Sequence, residues 1–313
     1  MARELYEEEK YLLSLLAYAL DGGEGTQWYH TSSADMSVVL SLADKHAILP
    51  LLYEGLEQYS TLTPEQSKRV TQICRRSVNQ FYRLLFLSSY LTRLLQKQGI
   101  PCAVLKGPAA AAAYPIPEAR KSGDIDLLLA DPSDLARARV ILEEDGFPWN
   151  EEQLANHHVN FHNYEGIEIE LHTMLAEYFE DRELNAFLHR LQIECSKHIH
   201  EKNIVGVLLP VPDAPFHAIF LVIHMLHHFL RAGFGLKLLA DWATLWSAEM
   251  SRGEQGALES MLRESGLYGF AQAVTAVCIR FLRLSSVNVA FLHPEEVSDT
   301  VVQNLIIEIL EAE

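Results

Sequence analysis

Residues 123–129 read Gly123-Asp124-Ile125-Asp126-Leu127-Leu128-Leu129. An apolar run that opens on alternating residues predicts a strand over Asp124 to Ala130. Strand side chains alternate faces, so Asp124 and Asp126 point one way and Ile125 and Leu127 the other. Two carboxylates side by side at the head of an apolar strand repel each other, and a divalent cation would bind both and relieve the repulsion. Taken alone, the pair fits an exposed strand end equally well. A second stretch, Gly166-Ile167-Glu168-Ile169-Glu170-Leu171-His172, repeats the logic, with Glu168, Glu170 and His172 on one face. As an antiparallel neighbour of the first strand it would bring Glu170 beside Asp124 and Asp126, placing three acids around one or two metals. As an amphipathic edge strand it would leave its acids in water.

Working upstream, Cys102-Ala103-Val104-Leu105 reads as a strand that ends in Lys106-Gly107. Pro108 to Ala113 then reads as a short helix, and Tyr114-Pro115-Ile116-Pro117 breaks it. A glycine turn followed by a helix start offers backbone N–H groups to a phosphate, and Pro108 costs little at the first helical position. Lys106 and Arg120 add cations suited to a triphosphate, Arg120 by a bidentate grip. The plainer readings are a snorkelling surface lysine and an ion pair within the loop Glu118 to Lys121. Downstream, Asp134 to Glu144 predicts a helix stopped by Gly146. Val159 to Tyr164 and Ile167 to Leu171 predict a hairpin turning at Glu165-Gly166. Residues 192–211 predict one or two further strands.

Both ends of the chain carry helical periodicity. Leu5 to Leu20, Ser33 to Tyr59 and Pro64 to Gln98 have apolar residues at three- and four-residue spacing, with Thr63 as N-cap, Pro64 at the first helical position and Gly99 as stop. Pro215 to Arg231 and Leu236 to Met250 follow the sheet region, split by Gly233-Phe234-Gly235. Leu258 to Ser265, Gly269 to Leu284 and Asp299 to Leu310 complete the helices. The expected organisation is a helical region over 1–99, a mixed core over 100–213 and a helical region over 214–313. His217, His224 and His228 share a stripe of one helix, with His227 beside it. Zinc ligation, a cleft-facing stripe that touches substrate, and a polar seam between helices all fit that spacing.

Composition narrows the classes. Among 313 residues, 25 are basic and 42 acidic, a net charge of −17, which argues against extended nucleic acid or an anionic membrane as partner. The central third carries nearly half of the acid, with 9 basic and 20 acidic residues over 100–213. Four scattered cysteines without a CxxC pair read as reduced thiols of a cytoplasmic protein. The acidic N-terminus is unlike a signal peptide, and no apolar run is long enough to span a bilayer. An apolar helix, Val301 to Leu310, closes the sequence without a tail, which suggests a longer natural chain.

Val104-Leu105-Lys106-Gly107, Tyr114-Pro115, Arg120, Gly123-Asp124-Ile125-Asp126-Leu127-Leu128 and Glu170-Leu171-His172 together resemble a bacterial uncharacterised nucleotidyltransferase family within the DNA polymerase beta-like superfamily. Ile223-His224-Met225-Leu226-His227-His228 and Leu239-Ala240-Asp241-Trp242 resemble its helical C-terminal part. The resemblance spans roughly residues 80–250. It implies an α+β fold: a polymerase-beta-like core of small mixed sheet and flanking helices, with helical N-terminal and C-terminal parts. It also implies Asp124, Asp126 and Glu170 as catalytic Mg²⁺ ligands, with Mn²⁺ an alternative. Lys106-Gly107-Pro108 stands where the superfamily usually has Gly-Ser or Gly-Gly, and the spacing to Asp124 is longer than usual.

The activity expected from this is Mg²⁺-dependent transfer of NMP from an NTP to a small molecule, sugar or protein, with pyrophosphate released. Lys106, Gly107 and Arg120 would hold phosphates, and His172, His224 and His228 would touch substrate. Two other functions fit the same residues: a catalytically inactive nucleotide-binding or regulatory module, and a helical partner-binding scaffold.

Overall fold

In the computed structural model the described residues are 3–23, 34–149, 158–162, 166–175, 179–246 and 250–312. The chain begins with α1 (Glu7–Leu20), α2 (Met36–Lys45), α3 (Tyr53–Tyr59) and the long α4 (Pro64–Lys97). Next come β1 (Cys102–Val104), α5 (Pro108–Ala111), β2 (Asp124–Leu129), α6 (Leu135–Glu144), β3 (His158–His162) and β4 (Glu168–His172). After α7 (Arg182–Cys195) a separate hairpin forms from β5 (Ile199–Ile204) and β6 (Val207–Pro212). The remainder is helical: α8 (Ala214–Arg231), α9 (Leu236–Leu245), α10 (Arg252–Glu264), α11 (Tyr268–Leu282) and α12 (Asp299–Glu311).

Local signals explain most boundaries. Thr63 caps α4 by accepting from the Gln66 amide, while the Gln66 side chain accepts from the Thr63 N–H. One expected helix, Ser33 to Tyr59, is instead three pieces, and Ser33 itself lies outside the described residues. The chain leaves α2 through Ala47 at φ +56° and crosses a 3-10 turn containing Pro50 before α3. A left-handed residue and a proline interrupt the helical hydrogen bonds there, which apolar periodicity alone does not register. Similarly, α9 stops at Leu245, short of the expected Met250.

The main sheet has strand order β1-β2-β4-β3. β1 runs antiparallel to β2, and β3 antiparallel to β4. The expected hairpin is therefore present, although residues 163–165 of its turn lie outside the described residues. Its second strand takes the inner position, and β4 runs parallel to β2, with Asp124 opposite Glu168 and Asp126 opposite Glu170. This corrects the antiparallel neighbour expected from sequence. After α6 the chain enters the sheet at its far edge as β3, so the returning strand lies next to β2 and runs in its direction. Either direction puts Glu170 beside Asp126, because strand side chains alternate with period two.

One sheet face is apolar. Ile125, Leu127, Ile169 and Leu171 pack with Phe81, Leu84 and Leu95 of α4 and with Leu142 of α6. The other face carries the acids and meets a larger core, in which Leu12, Ile48 and Leu52 pack in the same cluster as Phe220, Trp242, Val277 and Ile306. The first and last helices of the chain thus share one interior, and the acidic face of the sheet looks toward it. No helix among the described residues is long and apolar enough to cross a membrane.

Candidate functional site

Asp126 is fully buried at the centre of the acidic face. Its Oδ1 lies 2.6 Å from Lys106 Nζ and 3.1 Å from His172 Nε2. The same imidazole nitrogen is 3.2 Å from Glu170 Oε2. Burial by itself would raise the Asp126 pKa, but Lys106 and His172 outweigh it and hold the carboxyl well below the usual range. The imidazole hydrogen bond holds Glu170 low as well. For His172, burial favours the neutral ring, yet its two carboxylate partners raise the pKa. Lys106 likewise stays charged, because Asp126 and Asp124 overcome its desolvation.

Asp126, Glu170 and His172 each offer a ligand atom within 4.8 Å of the others, the geometry of a metal-binding group. Asp126 Oδ2 is buried and accepts no hydrogen bond. A buried carboxylate oxygen without a donor is costly, and a divalent cation would satisfy it. Two carboxylates and an imidazole therefore fit a divalent ion, with the Lys106 ammonium on the other Asp126 oxygen, Oδ1. Asp124 stands apart from this group. It is partly exposed and lines a cavity of about 330 Å³ in front of the cluster.

That cavity is lined by cations although the chain is acidic overall. Lys106, Arg120, Lys45 and Lys237 border it together with His224 and His228. His224 and His228 pack edge to face at 4.5 Å, and burial pushes both pKa values down, so their rings are neutral walls. His217, on the same helical stripe, instead lies buried outside the cavity lining, and burial lowers it to about 4. The stripe thus divides between a cleft wall and an interior seam. Among the described residues the metal-capable group contains none of these three histidines.

One expected phosphate contact has another partner. Arg120 is buried and gives its fork to Asp241 of α9, with Nε to Oδ1 and Nη2 to Oδ2 both at 2.6 Å. Tyr114 Oη donates to the same carboxylate at 2.7 Å. Arg120 therefore borders the cavity as a fixed charge whose bidentate face is taken. Gly107 adopts φ +58°, ψ −120°, a conformation for which side chains are unsuited, so the turn after β1 does need its glycine. The helix after it, α5, has only four residues, and its Ala109 N–H donates to the Lys106 carbonyl at 3.1 Å.

Lys237 was not singled out by sequence. It is partly buried at the cavity, and desolvation together with Arg120 lowers its pKa. A signal existed: Lys237 and Asp241 are the two charged residues of the otherwise apolar Leu236–Leu245 helix, and four-residue spacing puts them on one face. At the start of the same helix the cavity rim is drawn tight. A Cβ on Gly235 would come within 2.9 Å of His46 Nδ1.

Comparison with known proteins bears on this arrangement. A crystal structure of an antigenic nucleotidyltransferase-like protein from Paracoccidioides brasiliensis is similar over 66% of this chain and 96% of that chain, at 16% identity and a TM-score of 0.37. A search of curated proteins found no match. The profile of a family described as uncharacterised nucleotidyltransferase matches residues 32–283, which include the acidic strands, the Lys106-Gly107 turn and the helices that wall the cavity. The chain belongs to that uncharacterised nucleotidyltransferase family.

Proposed function

We propose that this chain is a metal-dependent nucleotidyltransferase that moves NMP from an NTP to an acceptor hydroxyl. One observation carries the reading: the Asp126, Glu170 and His172 ligand atoms converge beside a cation-lined cavity, with Asp124 at its mouth. A divalent ion, Mg²⁺ or Mn²⁺, would neutralise the triphosphate and align the attacking and leaving oxygens. Asp126 and Glu170 would hold it, with Asp124 completing the ligands from the cavity side. His172 fixes the Glu170 carboxylate by hydrogen bond.

In the transfer step the acceptor oxygen bonds to the α-phosphorus and the bond from that phosphorus to the bridging oxygen breaks. Pyrophosphate leaves with the bridging oxygen, and the acceptor proton passes to Glu170. Lys106 and Lys237 attract the β- and γ-phosphates, and the Gly107 turn lets the backbone approach them. Lysine suits this place because its flexible stem lets the ammonium exchange Asp126 for a phosphate. His224 and His228 form the wall on the nucleoside or acceptor side.

Thermal-shift measurement with four NTPs and Mg²⁺ or Mn²⁺ tests binding, and pyrophosphate release tests transfer. Stabilisation by an NTP that requires the metal and is lost in Asp124→Ala supports the reading. Asp124 is partly exposed, so this variant keeps the interior intact, whereas Asp126→Ala would strand Lys106. No stabilisation by any NTP with either metal would overturn the reading.

A further inference from the structure

The net charge of −17 hides a polarised molecule. Helix α4 holds seven of the 25 basic residues and only one of the 42 acidic ones, Glu65 in its first turn. Its buried side, with Phe81, Leu84, Leu91 and Leu95, packs against the sheet. The opposite side presents a different pattern at alternating steps of four and three residues, which places Arg76, Asn79 and Arg83 in one stripe with Phe86, Tyr90, Arg93 and Lys97. No acid interrupts that stripe. Phe86 is 60% exposed and Tyr90 49%, unusual for aromatic rings on a helix whose other side is already well packed.

Along its first half the stripe borders a groove of about 530 Å³, where Arg76, Asn79, Gln80 and Arg83 face Lys121 and Ser122, and where one acid, Asp44, sits 3.8 Å from Lys121 Nζ. Ser122 also lines the cavity in front of the acidic cluster, so the groove and the candidate active site adjoin. Further along, Tyr82 stacks on Phe86 with ring centroids 6.2 Å apart, and Tyr90 Oη donates to Asp145, which fixes its ring.

We propose that this face of α4, with Lys121 and Ser122, binds single-stranded RNA and leads its end toward the cavity. Cations spaced along a groove track a phosphate backbone, and exposed rings between them stack bases without regard to sequence. The Asn79 and Gln80 amides stand among the cations and suit the 2′-hydroxyl, the group that separates RNA from DNA. From Arg76 to Lys97 the stripe extends about 32 Å at 1.5 Å per residue, a length suited to several nucleotides. That the RNA end serves as NMP acceptor rests on the transferase reading; the binding surface does not.

The test is fluorescence anisotropy of a labelled 12-nucleotide single-stranded RNA with the full chain, without NTP or metal. Binding should weaken with salt at a slope of about −0.7 per phosphate contacted, or about −2 for Arg76, Arg83 and Lys121 together. The pair Arg76→Ala and Arg83→Ala should lower affinity at least tenfold and flatten the slope. Phe86→Ala should weaken binding about fivefold with the slope unchanged, because stacking releases no counterions. Absence of binding at low salt, or binding that both variants leave intact, would overturn the proposal. So would equal binding of DNA of the same sequence, or equal competition by poly-glutamate, which would mark a face for an acidic protein. RNA binding without any NTP-dependent thermal shift would support the surface and count against the transferase reading.

Discussion

Replacing Asp241 by Asn tests whether the buried Arg120–Asp241 pair locks the loop before β2 onto α9. Both side chains are almost completely buried, and three hydrogen bonds of 2.6–2.7 Å meet on the carboxylate. Burial would raise the Asp241 pKa, but Arg120 outweighs it and keeps the group ionised. Asn preserves the shape and removes the charge, leaving Arg120 desolvated without a counter-ion. Breaking one side of such a pair costs about 3–5 kcal/mol. With an unfolding entropy of about 2.1 cal/mol/K per residue, a 313-residue chain loses about 5–8 °C of Tm for that change. Replacing both partners by apolar residues, Arg120→Met with Asp241→Leu, removes the stranded charge. The Tyr114 hydroxyl then loses its acceptor, and the Gly107 carbonyl and Ser122 hydroxyl lose the Arg120 donor, a cost of about 1–3 kcal/mol for each group left buried and unpaired. Calorimetric melting of Arg120→Met, Asp241→Leu and the double variant gives the coupling directly. A Tm loss below about 2 °C for Asp241→Asn, or a double variant as destabilised as the sum of the singles, would refute the lock.

Three other outcomes follow from the same geometry. Gly107→Ala forces a side chain into φ +58° with its Cβ 3.4 Å from the Asp124 carbonyl, so stability should fall by about 1–3 kcal/mol and NTP-dependent thermal stabilisation should shrink. Burial holds His46 and His217 at about 4 in the fold, below the usual 6.5, so between those values the unfolded chain binds more protons. Stability is then complete above pH 6.5 and declines toward pH 4 by about 1.4 kcal/mol per unit for each ring, and melting curves of His217→Gln across that window should show a shallower decline. Lys106→Met leaves the Asp126 charge buried without its ammonium, which should destabilise the metal-free chain by about 3–5 kcal/mol, and Mn²⁺ should restore more Tm to this variant than to the parent chain.

Alternation with period two was sufficient to put Asp126 and Glu170 on one face, whatever the strand direction. The same simple rules found the α4 cap at Thr63 and the turn at Gly107, because each depends on residues adjacent in sequence. Strand direction depends on where α6 returns the chain, which no local pattern encodes. Arg120 shows the same limit at the site. Its sequence context admits a phosphate grip or an ion pair with a loop neighbour, and its partner is Asp241, on a helix that packs there only after the first and last thirds of the chain share a core. Lys106 read as a cation for a triphosphate or as a snorkelling surface lysine, and its position inside the acidic cluster was not visible. An ammonium 2.6 Å from Asp126 gives the buried carboxylate a counter-ion before any metal arrives. On the proposed transferase reading, a metal that takes Asp126 competes with that ammonium for the carboxylate, and the triphosphate would receive the ammonium instead. The chemistry of the cluster therefore couples the two ligands: each makes room for the other, so NTP and metal should stabilise the chain together by more than the sum of their separate effects.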